Sequence, residues 1–314
     1  MTSTDCVLDV RDFRMDFGAT TVIRDLSFDV RRGETFGLLG SNGCGKTTTI
    51  RALLGIYTPT AGTLLVEGKR YEPGSGVRLG YLPEERGLYK KEPVLDVMTY
   101  FGRLKGMTRS AAQTWSQGYL EAVGLSSHAK LRLDKLSGGQ QQKVQLGVTI
   151  MNDPDILILD EPTKGFDPVN RRLLMDLIEE RRRAGATIVI ITHQMEEVER
   201  LCDRILLLKD GKAEAYGTVA DVQDQYGGQA IRLGFSGVLP TSTHFRVVSA
   251  ETNYAELELT EGSEPTPVLR ELLDAGVEVR SFDATRISLD EVFLRVYGAE
   301  ASTEGDATPR QAVA

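Results

Sequence analysis

The 314-residue sequence has only three cysteines, Cys6, Cys44 and Cys202, in neither metal-ligand nor C-x-x-C spacing. An odd count without pattern excludes a disulfide framework and a cysteine-based zinc site, and the three read as reduced thiols. Long apolar runs are also missing. The longest, residues 156–159 and 187–192, fall far short of the ~20 residues of a membrane helix. Residues 1–10 carry Asp5 and Asp9 where a leader would be basic and then apolar, so the cytosol is the expected compartment. Positive charge is not in surplus either: the formal net charge is −8, which disfavours a nucleic-acid surface built on clustered Lys and Arg. Internal repeats, low-complexity stretches and heptads long enough for a coiled coil are absent from the sequence.

The composition is that of an ordinary globular protein, 41% hydrophobic and 26% charged, sufficient for a core. The length suggests one large domain with a smaller appendage. Residues 6–29 alternate as short strands, and residues 35–39 form an apolar strand that runs into glycines and then a helix at 46–54. Strands are expected at 63–67 and 77–82, and helices at 94–103 and 109–123. The apolar runs 156–159 and 188–191, separated by helical spacing over 170–184, imply buried parallel strands joined by crossovers. Asp210-Gly211 marks a hairpin turn between 204–209 and 212–216. Beyond Gly227 and Gly228, strands are expected at 230–235, 245–249 and 254–259. A helix then starts at Pro267 with Thr266 as N-cap, and a last one, to Tyr297, opens with a Ser288/Glu291 capping box.

Three motifs carry chemistry. Residues 40–47, G-S-N-G-C-G-K-T, fit the phosphate-loop pattern with a strand before and a helix after. The backbone amides of Ser41, Asn42, Gly43, Cys44, Gly45 and Thr48, with the helix dipole, would cradle phosphates. Lys46 would reach the β- and γ-phosphates and Thr47 would bind magnesium. Residues 156–161, I-L-I-L-D-E, deliver two acids at the end of a buried strand. Asp160 would hold magnesium, while Glu161 would orient or deprotonate water. Residues 136–140, L-S-G-G-Q, place Ser137, Gly138, Gly139 and Gln140 before a second helix, another anion-binding device. Two such devices and one acid pair make sense if the second binds nucleotide held by another copy.

In these motifs and their order the sequence resembles the nucleotide-binding subunits of ATP-binding cassette (ABC) transporters, over about residues 7–226. The resemblance implies a P-loop cassette of mixed α/β class with an N-terminal antiparallel part, spanning residues 1–227, with a helical subdomain over about 90–150. A small α+β domain would follow at 228–298 and a disordered tail at 299–314. It implies MgATP hydrolysis by a homodimer, or a heterodimer with a related cassette. It further assigns Phe17 and Val22 to adenine, His193 to the γ-phosphate and Asp167 to the dimer contact. Three positions depart from the family pattern: Lys164 and Phe166 stand where small and aliphatic residues are usual, and Glu84 replaces a magnesium-touching glutamine. A carboxylate at 84 calls for magnesium or a nearby cation to offset it.

Residues 81–89, Y-L-P-E-E-R-G-L-Y, and 287–294, I-S-L-D-E-V-F-L, are similar to export-type cassettes of the sodium-extrusion and drug-resistance kind. The implied protein is an exporter ATPase, peripheral at the cytoplasmic face of the membrane through a separately encoded permease. The alternative is a soluble cassette acting on ribosomes or DNA.

Overall fold

The computed structural model describes residues 5–85, 87–227, 229–260 and 262–301. Packing divides the chain between Tyr216 and Gly217 into two units.

The first unit opens with two long strands, β1 (Cys6–Phe17) and β2 (Thr20–Arg31), paired antiparallel with Val10 opposite Phe28. Their alternation buries Ile23, Leu26, Phe28 and Val30 on one face, as expected of a half-covered sheet. Then come β3 (Thr35–Leu39), α1 (Lys46–Leu53), β4 (Ala61–Val66) and β5 (Leu79–Leu82). A helical region follows, with α2 (Val94–Leu104), α3 (Arg109–Ala122) and α4 (Gly138–Ile150). The chain returns through β6 (Ile156–Asp160), α5 (Pro168–Arg183), β7 (Thr187–Ile191), α6 (Met195–Leu201), β8 (Arg204–Lys209) and β9 (Lys212–Thr218). The strands form one sheet in the order β4-β1-β2-β9-β8-β3-β7-β6-β5, a mixed α/β architecture.

Strands β3, β6 and β7 are buried along their whole length, which is why they read as continuous apolar runs. Successive side chains point to opposite faces. Ile156, Ile158, Val189 and Ile191 therefore join the cluster that contains Ile50 and Leu53 of α1. Leu157, Leu159, Ile188 and Ile190 join the other, with Val144 of α4 and Leu174 and Ile178 of α5. Each fully buried side chain of this size contributes about 1.5–3 kcal/mol, so a polar substitution in any of these strands would be severe.

The second unit begins with α7 (Val219–Tyr226), opened by a complete Thr218/Asp221 capping box. It continues with β10 (Gln229–Ser236), β11 (Phe245–Ala250), β12 (Tyr254–Leu259), α8 (Pro265–Asp274), β13 (Glu278–Arg286) and α9 (Leu289–Ala301). Its strands pair antiparallel in the order β11-β12-β10-β13. Val268 and Leu272, one turn apart on α8, pack with Ile231, Leu233 and Leu257.

Several local expectations are corrected. Helix α8 begins at Pro265, two residues before Pro267, with Glu264 rather than Thr266 at the N-cap position. Pro265 and Pro267 stand at the first and third helical positions and carry no N–H, which removes two of the donors that a helix start leaves open. Ser288 does cap α9, accepting from Glu291 N at 3.3 Å. The capping box is not reciprocal, because Glu291 binds Arg295 and the Ser288 amide donates to Glu256. The last helix runs on to Ala301, so residues 299–301 of the expected tail are helical. Residues 302–314 lie outside the described residues.

Candidate functional site

Strands β5, β6, β7 and β3 lie side by side and parallel, with Leu82 opposite Leu159, Asp160 opposite Ile191, and Leu38 opposite Ile191. The register brings their carboxyl ends to one edge, where α/β sheets hold ligands. From that edge emerge the glycine-rich loop after β3, the acids ending β6, His193 after β7 and Glu84 after β5.

The glycine-rich loop is built on backbone. A side chain at Gly45 would put Cβ 2.3 Å from Ile23 Cδ1, with φ at +112°, so only glycine fits there. At Gly43, φ is +82° and nothing lies within 4 Å of a built Cβ, leaving the concave side open. Helix α1 then starts with no side-chain cap and no acid in its first turn, so its first amides remain donors for an anion. Lys46 is only 9% exposed. Its Nζ donates to the carbonyls of Gly40 at 2.7 Å and Ser41 at 2.9 Å, with Cys44 Sγ a long third partner at 4.0 Å, so all three donors of the ammonium are directed within the loop. Ser41, Thr47 and Thr48 are half-buried and Asn42 is exposed, while Cys44 is buried. Burial pushes the Cys44 thiol up, against the thiolate that oxidation chemistry needs.

Alternation along β6 sends Asp160 to the α1 face, where Thr47 Oγ1 donates to Asp160 Oδ2 at 3.4 Å. Asp160 is 2% exposed. Desolvation first, then the Glu84 and Glu161 carboxylates, push it up to about 6. A buried acid whose neighbours are other acids, beside a hydroxyl, is a hard-oxygen set that suits a small divalent cation, which keeps waters and substrate oxygens as its remaining ligands. The pair is therefore compatible with magnesium, although no group of three or more His, Cys, Asp or Glu side chains that could hold a metal occurs among the described residues.

Glu161 leaves the strand with φ at +49°, and its amide donates to Ile191 O at 2.7 Å. The kink ends the strand's alternation and sets the carboxylate beside His193, whose Nδ1 lies 2.8 Å from Oε1. A carboxylate only accepts, so Nδ1 carries the proton. Glu161 Oε2 is buried without a hydrogen-bond partner in the protein. One oxygen of this acid is thus fixed by His193, while the other is buried and left with its accepting capacity unused, the capacity a base draws on.

Glu84 is exposed and accepts from Lys164 Nζ at 2.6 Å. Gln145 Nε2 fastens this loop from below, donating to Pro83 O at 3.3 Å and Glu85 O at 3.0 Å. The Lys164 contact and the Gln145 clamp are both absent from the sequence reading. They join segments far apart in the chain, which local spacing cannot relate.

The remaining candidates make local contacts of their own. Ser137 caps α4: its Oγ accepts from Gln140 N at 3.3 Å, and Gln140 Oε1 accepts from Ser137 N at 2.9 Å, completing a capping box. Gly138 and Gly139 form the first turn. A Cβ on Gly139 would meet the Phe166 ring at 3.5 Å. Asp167 caps α5 through Asn170 N at 2.9 Å, and the Asn170 amides hold its carboxyl below the usual range. Both devices therefore have a structural duty within the chain. Phe17 is 45% exposed and meets Tyr57 edge-on, with ring centroids 5.4 Å apart. Val22 packs against the adjacent core. Tyr57 is a further aromatic neighbour that the sequence reading missed.

Comparisons with known proteins agree with this architecture. The sequence profile described as ABC transporter matches residues 23–164. That described as ATP-binding protein DrrA1-3-like, C-terminal domain, matches residues 217–297. An uncharacterized ABC transporter ATP-binding protein of Methanocaldococcus jannaschii is 48% identical over 206 residues, 66% of this chain and 75% of that protein. The linearmycin resistance ATP-binding protein LnrL of Bacillus subtilis is 30% identical over 308 residues, 93% of this chain and 98% of its own length. The Nod factor export ATP-binding protein I of Cupriavidus pinatubonensis is 34% identical, covering 94% of this chain and 91% of itself. Among solved structures, an ATP binding subunit of an ABC transporter superposes with a TM-score of 0.65 at 29% identity, covering 70% of this chain and 93% of that one.

Proposed function

We propose, from the premise that this chain belongs to the ABC transporter ATP-binding family and is an ATPase, that it hydrolyses MgATP between two copies of itself or of a related cassette and so drives a separately encoded permease. The observation that carries this reading is the Glu161 carboxylate, clamped by His193 through one oxygen and left buried without a partner at the other.

In this reading the glycine-rich loop and the start of α1 bind the phosphates through backbone amides. Lys46 exchanges its long contact with Cys44 Sγ for the β- and γ-oxygens. Phe17 and Val22 cover the adenine. Thr47 and Asp160 hold magnesium, with Glu84 close by, and the ion supplies charge neutralisation at the β- and γ-oxygens. Glu161 Oε2 accepts the proton of the attacking water, while His193 fixes Oε1 and faces the γ-phosphate. A second copy lays Ser137 to Gln140 over the same phosphates, and Asp167 joins the two copies. Closure is driven by nucleotide because it binds the joined form better than the separate one.

Two relatives whose names denote resistance and export, together with the matching second unit, support an exporter. No helix among the described residues is long and apolar enough to cross a membrane; in this reading the permease supplies the path. The chain would then sit at the cytoplasmic face, held by that permease.

The test is Glu161→Gln. It should bind MgATP, lose turnover by roughly 100-fold or more, and accumulate as a dimer in size-exclusion chromatography with light scattering. A variant of near-normal turnover, or one strictly monomeric with MgATP, would contradict the reading.

A further inference from the structure

Two of the three departures from the family pattern noted in the sequence, Glu84 and Lys164, meet in the structure, although 80 residues separate them. Their strands explain the encounter. Strands β5 and β6 are in register to Leu82 opposite Leu159, so the turns that follow leave the sheet side by side. Lys164 sits in the turn directly after Glu161, its amide donating to Glu161 O at 3.1 Å. Its ammonium therefore ties the loop after β5 to the turn that bears the candidate base.

The charges explain the need. Glu84, Asp160 and Glu161 are three carboxylates close enough for the first and last to raise Asp160, and a triphosphate would add further negative charge. Lys46 is buried and turned to the Gly40 and Ser41 carbonyls. Lys164 feels all three acids, Glu84 most strongly. Both partners are largely exposed, at 59% and 43% of their side chains, and a pair so placed adds little to fold stability. Its effect is on local charge and on where the Glu84 carboxylate is held.

We propose that Lys164 is a positioning residue for ATP hydrolysis, holding Glu84 against the Glu161 turn and neutralising its charge so that the phosphates can enter. The inference rests on the function proposed above.

The test is a double-mutant cycle with K164S, E84Q, the pair of both, and K164R as the conservative replacement. Calorimetry gives MgADP affinity, and steady-state kinetics give KM and kcat for MgATP. Loss of one compensating charge should weaken affinity about tenfold in K164S, with KM rising in step and kcat falling less. K164R should stay within about threefold of the parent, and E84Q in the K164S background should restore affinity to the same range. Thermal midpoints without nucleotide should coincide for all four. Unchanged affinity in K164S, or a double variant no better than K164S, would overturn the proposal while leaving the ATPase reading intact. A parent protein that neither binds nor hydrolyses MgATP would overturn both.

Discussion

The Asp160→Asn variant isolates what it costs the fold to keep a charge at the end of β6. Asp160 rises from 3.8 to about 6, chiefly through desolvation, a shift of roughly two units and so about 3 kcal/mol. The sign follows from proton uptake. Below pH 3.8 the acid is neutral whether the chain is folded or not, and nothing is lost. Between there and about 6 the unfolded chain ionises while the folded one stays protonated, so stability falls as pH rises. Above pH 6 the full penalty applies. Asparagine carries no charge to desolvate, so at pH 7.5 in EDTA the variant should be more stable by about 3 kcal/mol, and at pH 5 by about half that. The single tryptophan, Trp115 on α3, reports the unfolding of this unit. The urea midpoint should move up by about 1 M at pH 7.5, while magnesium-dependent nucleotide binding is lost. A variant less stable than its parent at pH 7.5, or a gain equal at both pH values, would refute the reasoning.

Ser137→Ala should remove the α4 cap at a cost of about 1 kcal/mol in thermal or urea unfolding. Ser137→Arg should in addition abolish hydrolysis while monomer affinity for nucleotide, read by calorimetry, stays near the parent value. Phe17→Ala should raise KM for MgATP about tenfold, on the scale of one base-aromatic stack, with kcat little changed; an unaltered KM would place Phe17 outside the adenine site. Arg295 binds Glu258, Glu291 and the Tyr226 carbonyl, so Arg295→Met should destabilise the second unit by about 2–4 kcal/mol, seen as loss of its melting transition at lower temperature.

What could be read from the residues, and what could not, divides along physical lines. The strands β3, β6 and β7 announced themselves because burial on both faces confines polar residues to their ends. Their ends located the acids and Lys46 correctly relative to strand and helix. Strand β13 escaped because only every third residue, such as Val279, Phe282 and Thr285, is even partly covered, which masks a period of two. Helix α6 escaped as well, being seven residues long with Glu196 and Glu197 in its first turn. The start of α8 was misread because P-T-P offers two prolines for one position. Contacts between distant segments, Glu161 with His193 and Glu84 with Lys164, depend on sheet order, and no local pattern encodes that order.

The φ of +49° at Glu161 bears on how such a chain evolves. An L-residue with a full side chain in the left-handed region costs on the order of 1–3 kcal/mol, and Glu161→Gly would relieve it. Together with the charge at its neighbour, this makes the working residues the ones the fold resists. A duplicate gene released from selection would gain robustness by losing these acids early, so degenerate copies should be sturdier than their active ancestor.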